Sequence, residues 1–187
     1  VGGVTNSNIT PLLLEGLNRL EYRGYDSSGL IVLSDQNTFN RARSVGKVKN
    51  LEKNLNERNK KIIGNIGIAH TRWATHGEPS SLNAHPHISK NSVSVVHNGI
   101  IENYIELKNN QIKQGYEFKS ETDTEVIAHA IDFEMKSCET LIGAVQNAVK
   151  SLKGSYGIGV ISSKHPDQII ATRKGSPLLI GIGTKGN

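Results

Sequence analysis

The segment AHTRWATHG, at residues 69–77, combines residue types that a packed core rarely needs together. It contains Arg72, a threonine, two histidines and the chain's only tryptophan, Trp73, and it ends in glycine. An arginine can hold a carboxylate through two parallel hydrogen bonds. The segment therefore predicts a site for a ligand that carries a carboxylate.

Two further segments could complete such a site. In HNGIIEN, Asn98 and Gly99 follow a predicted buried strand, where a side-chain amide and a backbone N–H can stabilise an oxyanion. The simpler interpretation is a strand-to-turn signal. In ETDTE, Asp123 is either a helix cap or a partner for an ammonium group. Taken with Arg72, these residues suggest an α-amino acid held at both ends, with Asn98 and Gly99 over its reacting carbonyl.

Other chemistries are less well supported. Five of the seven histidines lie between positions 70 and 97, yet a proline separates the pair in HPH (85–87) and no cysteine is near. That spacing does not suit a zinc site, so we predict no metal and expect these histidines to bond loop backbone. The G-x-S-x-G motif of serine hydrolases is absent from the sequence. Cys138 is remote in sequence from every histidine-rich loop, so we interpret it as structural.

Composition limits the class of protein. The chain has 187 residues, 36% of them hydrophobic, which predicts one soluble domain with a real core. It has no apolar run near the roughly 18 residues of a membrane span and no leader-like start, so no membrane association is expected. One cysteine suits a reducing cytoplasm. Although the net charge is +5, the basic run NERNKK lacks aromatic residues, so no nucleic-acid binding is expected.

These candidate residues need a scaffold, and apolar periodicity predicts its elements. Helices are predicted for ITPLLLEGLNRLEY, with Thr10 as the cap before Pro11, and for IIENYIELKNNQIKQG, SETDTEVIAHAIDFEMK and ETLIGAVQNAVKSLKG. Strands are predicted for VGGVT, SGLIVLS, FNRARSV, GNIGIAH, SVSVVHNG, SYGIGVISS, DQIIATRK and SPLLIGIGT, with a charged loop after FNRARSV. This order favours an α+β or layered α/β/α domain. The chain stops just after a strand, so we expect a piece of a longer protein.

The quoted segments, with LEGLNRLEYRGYDSSG and NAHPH, resemble one family throughout most of the chain. It is the N-terminal glutaminase domain of glucosamine-6-phosphate synthases, also called glutamine–fructose-6-phosphate aminotransferases (isomerizing), which are class II glutamine amidotransferases. The resemblance implies an N-terminal-nucleophile hydrolase sandwich, with mostly antiparallel sheets in α/β/β/α layers. It also implies that residues 1–187 are one glutaminase domain lacking its first residues and its C-terminal part.

The family's nucleophile is an N-terminal cysteine in a start that reads C-G-I-V-G, and its free α-amino group acts as the base. This sequence starts V-G-G-V. Matching the V-G pairs puts the cysteine three residues before Val1, outside this sequence. The chain as given is therefore expected to bind glutamine without hydrolysing it.

The resemblance also implies roles for residues of this chain. Arg72, helped by Thr75 and His76, matches the site of the glutamine α-carboxylate, and Asp123 that of the α-ammonium. Asn98 and the Gly99 N–H match the oxyanion hole, and Trp73 matches a tryptophan on the mobile loop that gates an ammonia passage. The resemblance further implies that the turn beside the nucleophile is formed by Arg23, Gly24 and Asp26. It also implies that the loops are supported by His85 and His97.

The implied reaction is hydrolysis of L-glutamine through a γ-glutamyl thioester, without a cofactor. Ammonia would pass to a sugar-isomerase domain of the same polypeptide, which makes glucosamine 6-phosphate from fructose 6-phosphate, and the full-length form is expected to be a homodimer. Two alternatives stay open. One is the glutaminase domain of another class II amidotransferase, and the other is a non-catalytic glutamine-binding module.

Overall fold

The computed structural model describes residues 1–24, 26–59 and 61–183. Within these residues the chain forms eight β-strands and five α-helices. The strands are β1 (Gly2–Val4), β2 (Ser27–Leu33), β3 (Phe39–Val45), β4 (Ile66–Arg72), β5 (His87–Ser89), β6 (Val93–Ile101), β7 (Gly154–Ser162) and β8 (His165–Lys174). The helices are α1 (Thr10–Leu20), α2 (Val48–Asn56), α3 (Tyr104–Lys113), α4 (Glu125–Glu134) and α5 (Leu141–Ala148).

The strands form two four-stranded sheets, ordered β1-β4-β2-β3 and β5-β6-β7-β8. Every pairing between these strands is antiparallel. Strand β4 is central to the first sheet, and it lies against β6, β7 and β8 of the second. The two sheets thus stack face to face, with β4 where the sheets meet.

Three apolar clusters hold four layers together. Between the sheets, Ile66 and Ile68 of β4 pack with Val96 and Ile161 of the second sheet. Helices α1 and α2 cover the outer face of the first sheet, and α4 and α5 cover that of the second. The layers are therefore α/β/β/α, and the predicted α+β class is confirmed. No helix in the described part of the chain is long and apolar enough to cross a bilayer.

Helix α1 illustrates how sequence spacing produced this packing. Ile9, Leu13 and Leu17 recur every four residues, and each is fully buried against the first sheet. The prediction of Thr10 as the helix cap is wrong, because Thr10 is the first helical residue. Its hydroxyl instead donates to the Ile62 carbonyl at 2.9 Å, which ties the start of α1 to the segment before β4.

Three other predictions need correction. The segment after β3, predicted as a charged loop, forms α2, although Lys60 lies outside the described residues. The predicted helix over IIENYIELKNNQIKQG begins only at Tyr104, since β6 continues to Ile101. The strand over SPLLIGIGT is wrong for residues 176–183: they form no strand, and Leu179 is 95% exposed. Its last residue, Thr184, lies outside the described residues.

Candidate active site

The candidate site begins near the end of β4, where the residues that face the second sheet change from apolar to polar. Alternate residues of a strand share one face, so Ile66, Ile68, His70 and Arg72 all face the second sheet. The first two belong to the core between the sheets, whereas His70 and Arg72 are buried polar residues at 8% and 4% exposure. The end of β4 therefore presents two polar groups in a place that packing alone would fill with apolar side chains.

Arg72 organises the loop that follows it. Its Nη2 donates to the carbonyls of His76 and, at 3.0 Å, of Gly77, and its Nη1 donates to the Glu78 carbonyl at 3.3 Å. Nη1 also lies 3.6 Å from the Asp26 carboxylate. Both terminal nitrogens are thus engaged by the protein in this conformation. A ligand carboxylate would have to exchange with some of these carbonyl contacts.

The turn before β2 lies beside Arg72. Asp26 N–H donates to the Arg72 carbonyl at 3.1 Å, and Asp26 Oδ1 accepts from the Ser27 hydroxyl at 2.7 Å. Asp26 Oδ2 is buried and has no hydrogen-bond partner among the described residues. Gly24 packs so tightly that an added Cβ would lie 3.0 Å from Trp73 Cβ. Arg23, at the end of a short 3-10 helix, is exposed and does not join this contact.

His70 contacts Asn98 across the sandwich, through Nε2 and Oδ1 at 2.8 Å. Burial lowers the pKa of His70 to about 3, so its ring is neutral and carries one N–H. His70 Nδ1 is buried without a partner. An N–H orphaned there would be more costly than a bare lone pair, so the proton sits on Nε2 and is donated to Asn98. Asn98 accepts through its oxygen, which leaves its NH2 group for a ligand.

Gly99, the next residue on β6, has a backbone that requires glycine. Its φ of +131° is rarely adopted by other residues, and an added Cβ would lie 2.1 Å from the Ser155 carbonyl oxygen. Asn98 and Gly99 are both exposed, unlike the preceding residues of β6. Three residues before its end at Ile101, β6 therefore presents an oriented amide followed by a backbone free of any side chain.

Asp123 is not the cap of α4, because that position belongs to Thr124. Its buried Oδ2 instead accepts from the Ile101 N–H at 2.8 Å. This bond ties the ETDTE segment to the end of β6, three residues beyond Asn98. Of the two interpretations of Asp123, the structure excludes the helix cap.

Asn83 joins the arginine loop to the same segment, and sequence reasoning missed it. Its Nδ2 donates to the Glu78 carbonyl at 2.9 Å and to Glu121 Oε2 at 3.0 Å, while its Oδ1 accepts from the Glu121 N–H at 2.9 Å. Asn83 is the first residue of the NAHPH motif. A side-chain amide can donate and accept at once, which is the signal in the sequence for a residue that joins two segments. Two segments 38 positions apart are thereby held together.

Buried histidines support these segments from behind. The ring of His85 stacks on His70 at 4.2 Å and meets His87 edge-on at 4.9 Å. His85 Nδ1 accepts from the His97 N–H at 3.4 Å, so His85 Nε2 donates to the Thr124 hydroxyl, also at 3.4 Å. Burial lowers the pKa of His85, His87 and His97. The cluster is therefore neutral, and it braces β4, β6 and the start of α4.

The remaining predicted ligand contacts lie on the loop itself. Trp73 is 68% exposed, and Thr75 is also exposed. His76 is half-buried, with Nδ1 3.3 Å from the Thr75 hydroxyl and its ring edge-on to Tyr104 at 5.0 Å. An exposed tryptophan of this kind offers a large apolar surface that a ligand or another domain could cover.

The metal site and the reactive cysteine weighed in the sequence analysis can be compared with the structure. Among residues 1–24, 26–59 and 61–183, no group of three or more histidine, cysteine or acidic side chains could hold a metal ion. Cys138 lies before α5, half-buried, and its sulfur accepts from Asn147 Nδ2 at 3.3 Å. The absence of a metal requirement and the structural role of Cys138 stay predictions.

Comparison with known proteins shows the family of the chain. Residues 70–183 match the family described as glutamine amidotransferase domain, which is more than half of the chain. The chain therefore belongs to the glutamine amidotransferase domain family. Two similar curated proteins are both named glutamine–fructose-6-phosphate aminotransferase [isomerizing]. The one from Haemophilus influenzae is 53% identical and the one from Pseudomonas putida 54% identical, each over all 187 residues.

The chain spans only 30% of the length of each of these relatives. A similar solved structure is the glutamine phosphoribosylpyrophosphate amidotransferase of B. subtilis in complex with ADP and GMP. It is 26% identical with a TM-score of 0.70, over 87% of this chain and 35% of that one. The fold is thus the N-terminal-nucleophile hydrolase sandwich that the sequence resemblance implied.

Proposed function

We propose that this chain is the glutamine-hydrolysing domain of a glutamine–fructose-6-phosphate aminotransferase (isomerizing), and that residues 1–187 form that domain without its first residues and its C-terminal part. The chain is 53% identical over its whole length to a glutamine–fructose-6-phosphate aminotransferase, but only 26% identical to a glutamine phosphoribosylpyrophosphate amidotransferase. This difference supports fructose 6-phosphate over phosphoribosylpyrophosphate as the acceptor of the ammonia. In this proposal the rest of the polypeptide supplies a sugar-isomerase domain, which receives the ammonia, and the full-length protein is a cytoplasmic homodimer.

The observation that carries the proposal is the register of β1 on β4. Val1 and Ala69 exchange backbone hydrogen bonds of 2.8 Å, so they lie opposite each other. Continuing this register, the residue three positions before Val1 falls opposite Arg72. Directly opposite residues point to the same face, so a cysteine there would share the face of His70 and Arg72. The register supports the nucleophile position that the family resemblance implies.

The proposed reaction follows from these positions. The cysteine sulfur attacks the side-chain carbonyl carbon of glutamine, while the free α-amino group of that cysteine takes the thiol proton. Collapse of the tetrahedral intermediate breaks the C–N bond, and the same proton leaves with the nitrogen as ammonia. Water then attacks the γ-glutamyl thioester, which releases glutamate and restores the thiol.

Asn98, held in place by His70, is proposed to stabilise the oxyanion of both tetrahedral intermediates. One forms when the cysteine attacks glutamine, and the other when water attacks the thioester. Because His70 donates to the Asn98 oxygen, the amide nitrogen is fixed in the orientation that an oxyanion needs. The Gly99 N–H is the second proposed donor. Donors held in place before the reaction stabilise the developing charge without reorganising. In this proposal His70 is a positioning residue that touches no substrate atom.

Glutamine is held at its other end by the loop and by the ETDTE segment. Arg72 is the proposed partner of the α-carboxylate, with Thr75 and His76 beside it, and Asp123 is that of the α-ammonium. Since Arg72 now holds the carbonyls of residues 76–78, binding would couple the ligand to the shape of this loop. Trp73 would then close over the ligand and border the ammonia passage.

The test compares three proteins: the chain as given, the same chain preceded by Cys-Gly-Ile with the cysteine at the N-terminus, and a Ser-Gly-Ile control. Glutamate and ammonia release are measured with glutamine. Only the cysteine protein should turn over, and the chain as given should bind glutamine without hydrolysis. Turnover by the chain as given would refute the nucleophile assignment. Binding without turnover by a correctly processed cysteine protein would identify a non-catalytic module.

The acceptor is tested separately in the full-length protein. With glutamine present, fructose 6-phosphate should be converted to glucosamine 6-phosphate, whereas phosphoribosylpyrophosphate should yield no aminated product. Amination of the second acceptor alone would assign the chain to another class II amidotransferase. Sedimentation of the same sample tests the homodimer.

A further inference from the structure

A pocket lies at one edge of the sandwich, where the edge strand β3 of the first sheet comes near the edge strand β5 of the second. Its volume is about 270 Å³. It is lined by residues of β3, β5 and the segments around them: Arg41, Arg43, Leu82, His87, Ile88, Lys90, Asn91, Lys119 and Glu125. None of the residues proposed above to contact glutamine lines this edge pocket.

Two arginines form one wall. Arg41 and Arg43 alternate with the buried Ala42, so both face away from the α-helical side of the sheet. Arg41 Nη1 donates to the Pro86 carbonyl at 3.2 Å, and Arg43 Nη1 donates to the carbonyls of Leu82 and Ala84 at 3.0 and 2.9 Å. These bonds fix both guanidinium groups and use only Nη1. Within the described part of the chain, Nη2 and Nε of both arginines have no acceptor.

The charge of the edge pocket is not balanced. Four cationic residues (Arg41, Arg43, Lys90 and Lys119) and one acidic residue, Glu125, line it. The Lys90 ammonium also lies over the Tyr116 ring, 4.3 Å from its centroid. Glu125 is already engaged, because its oxygens accept from the backbone N–H groups of Lys119 and Ser120 and from the Ser120 hydroxyl. Among the described residues, no carboxylate lies within 4.0 Å of a side-chain nitrogen of these four cations.

Arg41 also disfavours the charge of Arg43. Burial, and then the neighbouring Arg41, lowers the pKa of Arg43 to about 10. Burial likewise lowers the pKa of Arg41. A pair of cations held together at a partly buried site is stabilised when an anion binds between them.

We propose that the edge pocket binds a small phosphate-type dianion, either inorganic phosphate or the phosphate group of a small ester. Fixed guanidinium edges suit bidentate contact with phosphate oxygens, which an isolated ammonium does not provide. The lining carries more positive than negative charge, which favours a dianion over a monoanion. The volume is below the roughly 300–1,000 Å³ of pockets for drug-sized ligands, so it suits a phosphate with a short organic group.

The probes are inorganic phosphate and glycerol 2-phosphate, titrated calorimetrically into the purified protein at constant ionic strength and about pH 7.5. Saturable one-to-one binding is expected, weakening as chloride is raised. Whichever probe binds more tightly identifies the source of the phosphate group. Acetate is the monoanion control. Equal binding of acetate would overturn the dianion assignment, and absence of saturable binding by either phosphate would overturn the site.

Matched variants locate the binding. Lys119→Gln removes one pocket charge from an exposed side chain, and Lys113→Gln makes the same change on α3, outside the pocket. Only Lys119→Gln should weaken phosphate binding, by about threefold or more. Arg43→Gln should weaken it by about tenfold or more, the effect of one charged hydrogen bond. Because Arg43 also fixes carbonyls, its variant is checked by thermal unfolding. Unchanged affinity in Lys119→Gln and in folded Arg43→Gln would refute the proposal.

Discussion

The neutral state of His70 makes a prediction about stability in acid. In the unfolded chain this imidazole takes up a proton as the pH falls below 6.5, whereas in the folded protein burial lowers its pKa to about 3. Above pH 6.5 both states are neutral, and His70 contributes no pH dependence. Between pH 6.5 and 3 the unfolded state binds more protons, so the free energy of unfolding decreases as the pH falls.

The magnitude follows from that pKa difference. Each pH unit below 6.5 costs about 1.36 kcal/mol for one group, so His70 alone should remove about 2 kcal/mol at about pH 5. The pKa values of His85 and His87 are also lowered by burial, and they act in the same direction. Because a domain of this size is typically stable by about 5–15 kcal/mol, even the His70 contribution is a substantial fraction.

The assay is urea unfolding of the wild type and of His70→Gln, each at about pH 7.5 and about pH 5. Glutamine approximates the size of the imidazole but does not titrate. At the higher pH the difference between the proteins measures the effect of substitution on packing alone. Moving to the lower pH, the wild type should lose about 2 kcal/mol more than the variant. Parallel losses, equal within about 0.5 kcal/mol, would refute the neutral His70 and with it the orientation deduced for Asn98.

Four further predictions concern the chain preceded by Cys-Gly-Ile. Asn98→Ala should lower kcat about a hundred- to a thousand-fold with KM for glutamine within a few-fold, and a destabilised protein with normal kcat per folded molecule would contradict the oxyanion role. Arg72→Lys should raise KM about tenfold or more and lower kcat less, and an unchanged KM would remove it from the carboxylate site. Cys138→Ala should leave turnover nearly unchanged, since it has no role in the proposed reaction. Gly99→Ala should reduce the free energy of unfolding by at least about 2 kcal/mol, because its Cβ would lie 2.1 Å from the Ser155 carbonyl oxygen. A near-native melting temperature would contradict that last estimate.

The fold was predictable from sequence where one apolar face was long and regular. Helix α1 satisfied that condition, with buried Ile9, Leu13 and Leu17. Helix α2 was missed because its buried residues, Val48 and Leu51, are separated by polar residues. Its first backbone N–H donates to the Glu21 carboxylate at 2.6 Å, a partner 27 positions away that local spacing does not reveal. In SPLLIGIGT a strand was predicted where none forms. Apolar residues in a run form a strand only if another strand pairs with them. Residues 176–183 form no such pairing.

The candidate site was predictable by residue type but not by contact. The amide of Asn98 and the carboxylate of Asp123 were identified from their chemistry and their place at predicted element ends, although β6 continues to Ile101. That Asn98 bonds His70 could not be predicted, because the two residues lie on different sheets and meet only through the way the sheets stack. The bridge made by Asn83 could not be predicted either, because it joins two loop segments 38 positions apart. Local spacing determines elements, whereas contacts across the sandwich depend on the packing of all four layers.

The inward face of β4 explains why the site lies at one end of the sandwich. Along that face the residues change from Ile66 and Ile68 to His70 and Arg72, although all four are buried. Each buried polar atom that lacks a partner, such as His70 Nδ1 and Asp26 Oδ2, is destabilising by about 1–3 kcal/mol. Apolar side chains at these positions would make a more stable sandwich. Under the proposed function, the polar groups are kept at a cost in stability because the site needs them, and the change from apolar to polar along one strand face is the sequence signal of that site.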